Sequence, residues 1–254
     1  MTALVCCAPM LVRARHLTTV VCLLSLAGGC TPLERARGNW WELSREPSHQ
    51  APDPSTTPEA VVQVYAARTV GWRGFLAVHT WIALKQSDAA SYTRYEVIGW
   101  GVDRGAQAIR VNRTGPDNYW FGYRPELLVD LRGAEVDAII EKIQAAVAAY
   151  PYRDSYRTWP GPNSNTFTAF VGREVPELRL KLPNTAIGKD FIVGGSPLAM
   201  APSGTGMQLS VLGLVGVMGA WEEGVEVNVL GLAFGLDVKR PALKLPAVGR
   251  LGMP

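Results

Sequence analysis

The sequence predicts an α+β fold, an antiparallel sheet with two helices followed by a β-rich extension at the C-terminal end. Three observations carry this. Segments rich in β-branched and aromatic residues, broken by Gly, Ser and Asp, fill the first half of the body. Two segments with apolar residues at helical spacing follow them. Beyond Gly194, glycines recur every few residues among alternating apolar positions, as in antiparallel hairpins. The 26 glycines and 18 prolines agree with many turns and short strands.

The N-terminal segment LVRARHLTTVVCLLSLAGGC has the layout of an export signal. Arg13, Arg15 and His16 form a cationic region ahead of the uncharged, mostly apolar stretch Leu17 to Gly29. Those 13 residues are too few to span a bilayer, which takes about 20. A cleaved signal over residues 1–29 is therefore expected, and residues 1–12, ahead of the charges, point to Met10 as the start. Leu26-Ala27-Gly28-Gly29-Cys30 resembles a lipoprotein box, although alanine stands where leucine is usual three residues before the cysteine. The resemblance implies two acyl chains on Cys30, enough for stable anchoring where one is marginal. The other reading is that Cys30 follows an ordinary secretory signal. Cys6, Cys7 and Cys22 all lie within the signal, so the body has no thiol for a disulfide, a metal site or a nucleophile. The chain is expected in a bacterial cell envelope. Thr31 is not the aspartate that commonly retains lipoproteins in an inner membrane, so the outer membrane is expected where there are two.

Residues 30–59 read as a tether, since REPSHQAPDPSTTPE carries four prolines and few apolar residues. Trp40 and Trp41 interrupt it, either docked on the body or placed at a membrane interface. The core, residues 60–193, opens with VVQVYAAR, GFLAVHTWIALK, TRYEVIGW and QAIRV as strands. The second is apolar at nearly every position, as expected of a central strand covered on both faces. In GAEVDAIIEKIQAAVAAYP, Val136, Ile139, Ile140, Ile143 and Val147 share one helical stripe and Pro151 lies just beyond it. A second helix is expected in NTFTAFVGREV, with Gly172 counting against it. Residues 194–254 form the extension of the same domain. Its uncharged run Gly204 to Trp221 is long enough for a membrane helix, but five glycines favour paired strands.

Charge excludes some functions. The formal net charge is +3, and the signal removes two arginines and no acid, so the remainder is near balance and gives no support for nucleic-acid binding. Of three histidines, His16 leaves with the signal and His49 lies in the tether, so His79 is the only one in the core. One histidine without a cysteine builds no usual zinc site, and neither a metal nor another cofactor is expected.

The stretches VHTWIALK, TRYEVIGW, YPYRDSYRTWPGPNSNTFTAFVGREVPEL and LPNTAIGKD resemble the bacterial domain-of-unknown-function 3750 family. The likeness runs from about Ala51 to the C-terminal end and is most specific at WPGPNSNTF. A histidine in an early strand, followed by Asn-Ser-Asn at a later helix start, more distantly resembles the circularly permuted papain-like hydrolases. That resemblance implies His79 as base and Ser164 in the place of a cysteine nucleophile. The departure matters, because a helix start readily stabilises a thiolate whereas a serine needs a well-aligned base. Glu96 on the next strand is the nearby carboxylate suited to orient the imidazole. The same residues have a structural reading: His79 as a hydrogen-bonded core residue, and Asn163 and Ser164 as helix caps. Lys189 is either a dyad partner for Ser164 or a solvated lysine. Tyr156 and Trp159, with Asn163 and Asn165, are candidates for a groove holding a glycan, a peptide or an acyl chain. Two functions follow: an envelope binding or structural lipoprotein, or a serine-dependent amide or ester hydrolase acting on envelope peptides, glycopeptides or lipids.

Overall fold

The computed structural model describes residues 39–252, and Cys30 with the expected signal lies outside them. The first sheet has five antiparallel strands in the order β4-β3-β2-β1-β5. They are β1 (Val61–Arg68), β2 (Val78–Lys85), β3 (Thr93–Val97), β4 (Ile109–Val111) and β5 (Glu126–Arg132). Strand β2 is buried at all eight positions, as its continuous apolar run requires. It begins later than GFLAVHTWIALK implies, because Gly71–Phe75 makes a 3-10 turn.

Two helices, α1 (Val136–Ala149) and α2 (Ser164–Glu174), supply the stripes that cover one face of this sheet. Val62, Val64, Ile82 and Leu84 from the strands meet Ile140, Ile143, Phe167 and Val171 from the helices in one buried cluster. Phe167 is fully buried, and its contribution is about 2–3 kcal/mol. Gly172 belongs inside α2 after all: a Cβ there would stand 2.7 Å from the Pro202 carbonyl oxygen, so its absence permits close packing. The opposite face carries a second cluster of Tyr65, Trp81, Trp120 and Phe121.

The tether expectation is corrected over its last part. Residues 44–52 are bonded along the body rather than free. The Tyr119 and Gly122 amides donate to Glu46 O and Ser44 O, and Ser48 Oγ and the Gln50 amide donate to Asp117. The buried Asp117 carboxylate takes the Gln50 and Ala51 amides together. Trp40 docks as well, its ring 6.1 Å from Trp100 and 5.6 Å from Phe121.

The extension is a seven-stranded meander in chain order: β6 (Leu198–Met200), β7 (Gly206–Val211), β8 (Val215–Ala220), β9 (Gly224–Val229), β10 (Leu232–Asp237), β11 (Ala242–Leu245) and β12 (Gly249–Gly252). The β9–β10 loop is the two residues Leu230-Gly231, both at positive φ, which suits the twist of a hairpin. The alternation is inverted. Gln208, Ser210, Glu226, Asn228 and Lys244 point inward and are buried. Val225, Val227 and Val229 point outward and are about half exposed. Cross-strand register aligns Leu209, Val217, Val227 and Phe234 in one outward row, and Val225, Leu236, Leu243 and Leu251 in another.

Polar bonds hold this inner face to the core. Lys189 Nζ reaches Glu226 at 2.6 Å and Asp190 at 3.1 Å, while Lys244 Nζ reaches Glu226 at 2.5 Å. Burial would lower the Lys189 pKa, but Asp190 and Glu226 outweigh it and raise it, so the lysine stays charged. Lys189 is therefore neither solvated nor a partner of Ser164.

Candidate functional site

Alternation along β2 puts His79, Trp81 and Ala83 on one face and Thr80 and Ile82 on the other. Strand β3 continues the first face, with Glu96 opposite Trp81 and Arg94 opposite Ala83. The result is a buried chain of charge. Arg94 Nη2 donates to Glu96 Oε2 at 2.8 Å, and His79 Nε2 lies 3.0 Å from the same oxygen. Arg94 is further held by the Gly115 carbonyl at 3.1 Å and by the Trp81 ring, 4.1 Å from its guanidinium carbon. Burial favours a protonated Glu96, but the bonds from His79 and Arg94 and the Arg94 charge outweigh it and hold the carboxyl at about 2. Burial also dominates at His79 and lowers its pKa, against the pull of Glu96, so the imidazole is neutral at pH 7. With Nε2–H donated to Glu96, Nδ1 carries the lone pair, and it has no hydrogen-bond partner among the described residues.

Helix α2 begins beside the first residues of β2. Asn163 caps it, its Oδ1 accepting from the Asn165 and Thr166 amides at 3.0 and 3.1 Å, with Thr166 Oγ1 accepting from the Asn163 amide in return. Asn163 Nδ2 donates to Thr158 O and Ile187 O. Gly188, at φ 102°, leaves room for this amide, since a Cβ there would lie 2.3 Å from it. Asn165 Nδ2 donates to Val78 O and Ile187 O, and its Oδ1 accepts from Thr80 Oγ1. Both asparagine amides are thus engaged in joining α2 to β2 and to the segment around Ile187. They line the pocket as scaffold rather than as free ligand contacts. Ser164, the first residue of α2, is 4 % exposed, and its hydroxyl makes no hydrogen bond among the described residues. Its amide is the one early helix N–H that Asn163 does not take, and it has no acceptor among the described residues.

These pieces meet in one cavity of about 420 Å³ lined by His79, Ser164, Asn163, Asn165, Tyr156 and Trp159. That size lies within the usual range for a small-molecule pocket, roughly 300–1,000 Å³. Every expected core site residue lines it except Glu96, which stands behind His79. No hydrogen bond joins Ser164 Oγ to His79. The remaining wall is mostly aromatic and aliphatic, with Trp72, Leu76, Ile98, Trp100, Trp120 and Ile187, and it also includes Arg73, Thr69 and Thr158. The Trp120 ring stacks on His79 with centroids 4.0 Å apart. Sequence reasoning missed Arg94, Trp72 and Trp100. Arg94 was accessible in principle, because Arg-x-Glu on one strand places both side chains on one face.

Among the described residues no group of three His, Cys, Asp or Glu is arranged to hold a metal ion, and no helix is long and apolar enough to cross a membrane. Residues 59–191 match the model of a family described as a protein of unknown function, DUF3750. The match spans the first sheet, both helices and the Trp159 to Phe167 segment, and it stops before the second sheet rather than running to the C-terminal end. No curated protein and no solved structure matches the chain, so the papain-like likeness rests on the order of its residues alone.

Proposed function

This chain belongs to the DUF3750 family, whose function is unassigned, and from the geometry of its pocket we propose a serine-dependent ester or amide hydrolase that accepts an apolar acyl group. The observation that carries this is the division of labour on His79. Glu96 takes Nε2, which leaves a neutral Nδ1 unpartnered in the same cavity as an unbonded Ser164 hydroxyl. A buried core histidine needs a partner, but it has no need of an ionised carboxylate that is itself fixed by a buried arginine. The Ser164 proton passes to His79 Nδ1 as Oγ attacks the carbonyl carbon, and the imidazolium is stabilised by Glu96. The oxyanion is met by the Ser164 amide at the positive end of α2. The leaving group departs with the proton from His79, and water then hydrolyses the acyl-enzyme by the same steps. The tryptophan-rich wall favours an aliphatic or aromatic acyl chain.

The cellular setting we propose is the cell envelope, with acyl chains on Cys30 anchoring the chain to a membrane, the outer one where there are two. A binding module without catalysis is the second reading, favoured by the missing Ser164–His79 hydrogen bond. Hydrolysis of p-nitrophenyl esters of increasing acyl length separates the two. The hydrolase reading expects turnover that rises from acetyl to hexanoyl and falls at least a hundredfold in Ser164→Ala. Turnover equal in that variant would leave only the binding module.

A further inference from the structure

The outward face of the second sheet carries no charged or hydrogen-bonding side chain on its strands. Fourteen apolar side chains there, each roughly half exposed, make a patch of about 1,000 Å², larger than the few hundred Å² usual on a monomer. The apolar character continues over one end of the sheet, where the turn residues Leu212, Leu230 and Val248 are 60 %, 58 % and 55 % exposed. We propose that this face is a lipid-contact surface, seating the body on the hydrocarbon edge of a bilayer.

Three observations favour lipid over a protein partner. Protein interfaces carry about one hydrogen bond per 100–200 Å², and no side chain on these strands can make one outward. Lipid asks for none. The other end of the sheet is cationic: Arg179, Lys181, Lys239, Arg240 and Arg250 gather there against Glu222, Glu223 and Asp237, a surplus that suits anionic headgroups. Trp221 stands exposed at that same end, in the loop after β8, as interfacial tryptophans do. The third observation is reach. Asn39 comes nine positions after Cys30, a span of at most about 32 Å. Trp40, next in line, stacks on Trp100 at the pocket, and Trp159 on the pocket wall donates to Leu230 O at the sheet's apolar end. Anchor, pocket and sheet can therefore address one membrane together. Strands of three to six residues are too short to cross it, since a crossing strand needs about 9–11. The sheet lies on the bilayer.

This inference leans on the Cys30 anchor only for the third observation, and its test removes the anchor. The full chain carrying Cys30→Ser is floated with vesicles of phosphatidylcholine containing phosphatidylglycerol, beside the same chain with Val217→Glu and Leu236→Glu. Both chains keep residues 17–29, so any difference comes from the sheet. The expected result is flotation of the first and at least tenfold weaker partition of the second, with matching thermal unfolding. If the charged pair unfolds, Val217→Asn with Leu236→Gln takes its place. Equal flotation of both chains would overturn the proposal. So would a chain that ignores vesicles, including one that sediments as a dimer separated by the same substitutions.

Discussion

Replacing Glu96 by glutamine removes one negative charge from the centre of the buried chain and leaves its shape. The amide oxygen still accepts from Arg94 and His79, where the carboxylate makes bonds of 2.8 and 3.0 Å. Hydrogen bonds involving a charged group contribute about 1.5–3 kcal/mol each against about 1 for neutral ones, so the bond from neutral His79 loses about 1 kcal/mol while that from Arg94 keeps its charged donor. Arg94, 1 % exposed, is then a buried cation without a counterion, and breaking a buried pair in this way costs about 3–5 kcal/mol. The Gly115 carbonyl and the Trp81 ring still hold the guanidinium, so the expected loss is toward the lower end, about 3 kcal/mol. For a body of this size that lowers Tm by roughly 6–12 °C. Thermal unfolding followed by circular dichroism measures it. Imidazole NMR supplies a second reading. Glu96 raises the His79 pKa against burial, so without its charge the value falls further. A Tm within 2 °C of the parent, together with an unchanged His79 titration, would refute the argument that Glu96 binds Arg94 and His79 into one unit.

Four other predictions rest on the site and on the buried ion pairs beside it. Ser164→Ala removes a hydroxyl that makes no hydrogen bond among the described residues, so its stability should match the parent within about 0.5 kcal/mol in a urea titration, while turnover is lost. Reaction with a fluorophosphonate should rise with pH through a midpoint below 6.5 and be level from pH 7 to 8, because the base is a neutral imidazole whose pKa burial depresses; a midpoint above 7 would contradict that. The same depressed value means that the His79 contribution to stability is complete above 6.5 and fades as pH falls through it. That of Glu96 is complete above 4.5 and fades toward about 2, so acid should destabilise the fold. Lys189→Met leaves Glu226 with Lys244 alone and Asp190 without its cation, and should cost about 3 kcal/mol by the same titration.

Much of the scaffold was legible because burial leaves a periodic trace. VVQVYAAR and the Val136 to Val147 stripe give strand β1 and helix α1 with little shift at either end. Strand β5 was missed because ELLVDLR interleaves charge with apolar residues at an edge, where only one side is covered. The hairpins beyond Gly194 were readable from alternation, yet alternation says only that two faces differ. Which face turns inward was decided by Lys189, Asp190 and Arg173 of the core, whose charges draw in Gln208 and Glu226 and leave the valines outside. At the site, His79, Glu96 and Ser164 were nameable from residue type and order. Arg94 was not singled out, since nothing in a linear reading shows that it lies buried beneath Trp81. The docking of residues 44–52 was hidden for a similar reason: a proline-rich composition describes a free chain, and the acceptor that holds it, Asp117, comes 67 residues after Gln50.

The central claim is that His79 makes Ser164 a nucleophile. Peptide mapping by mass spectrometry after treatment with an alkyl fluorophosphonate tests it most directly, on the folded parent chain and on His79→Ala. The account predicts a single adduct on Ser164 in the parent and at least a hundredfold slower labelling without the histidine. An adduct elsewhere, or labelling of Ser164 at the same rate in both chains, would contradict it.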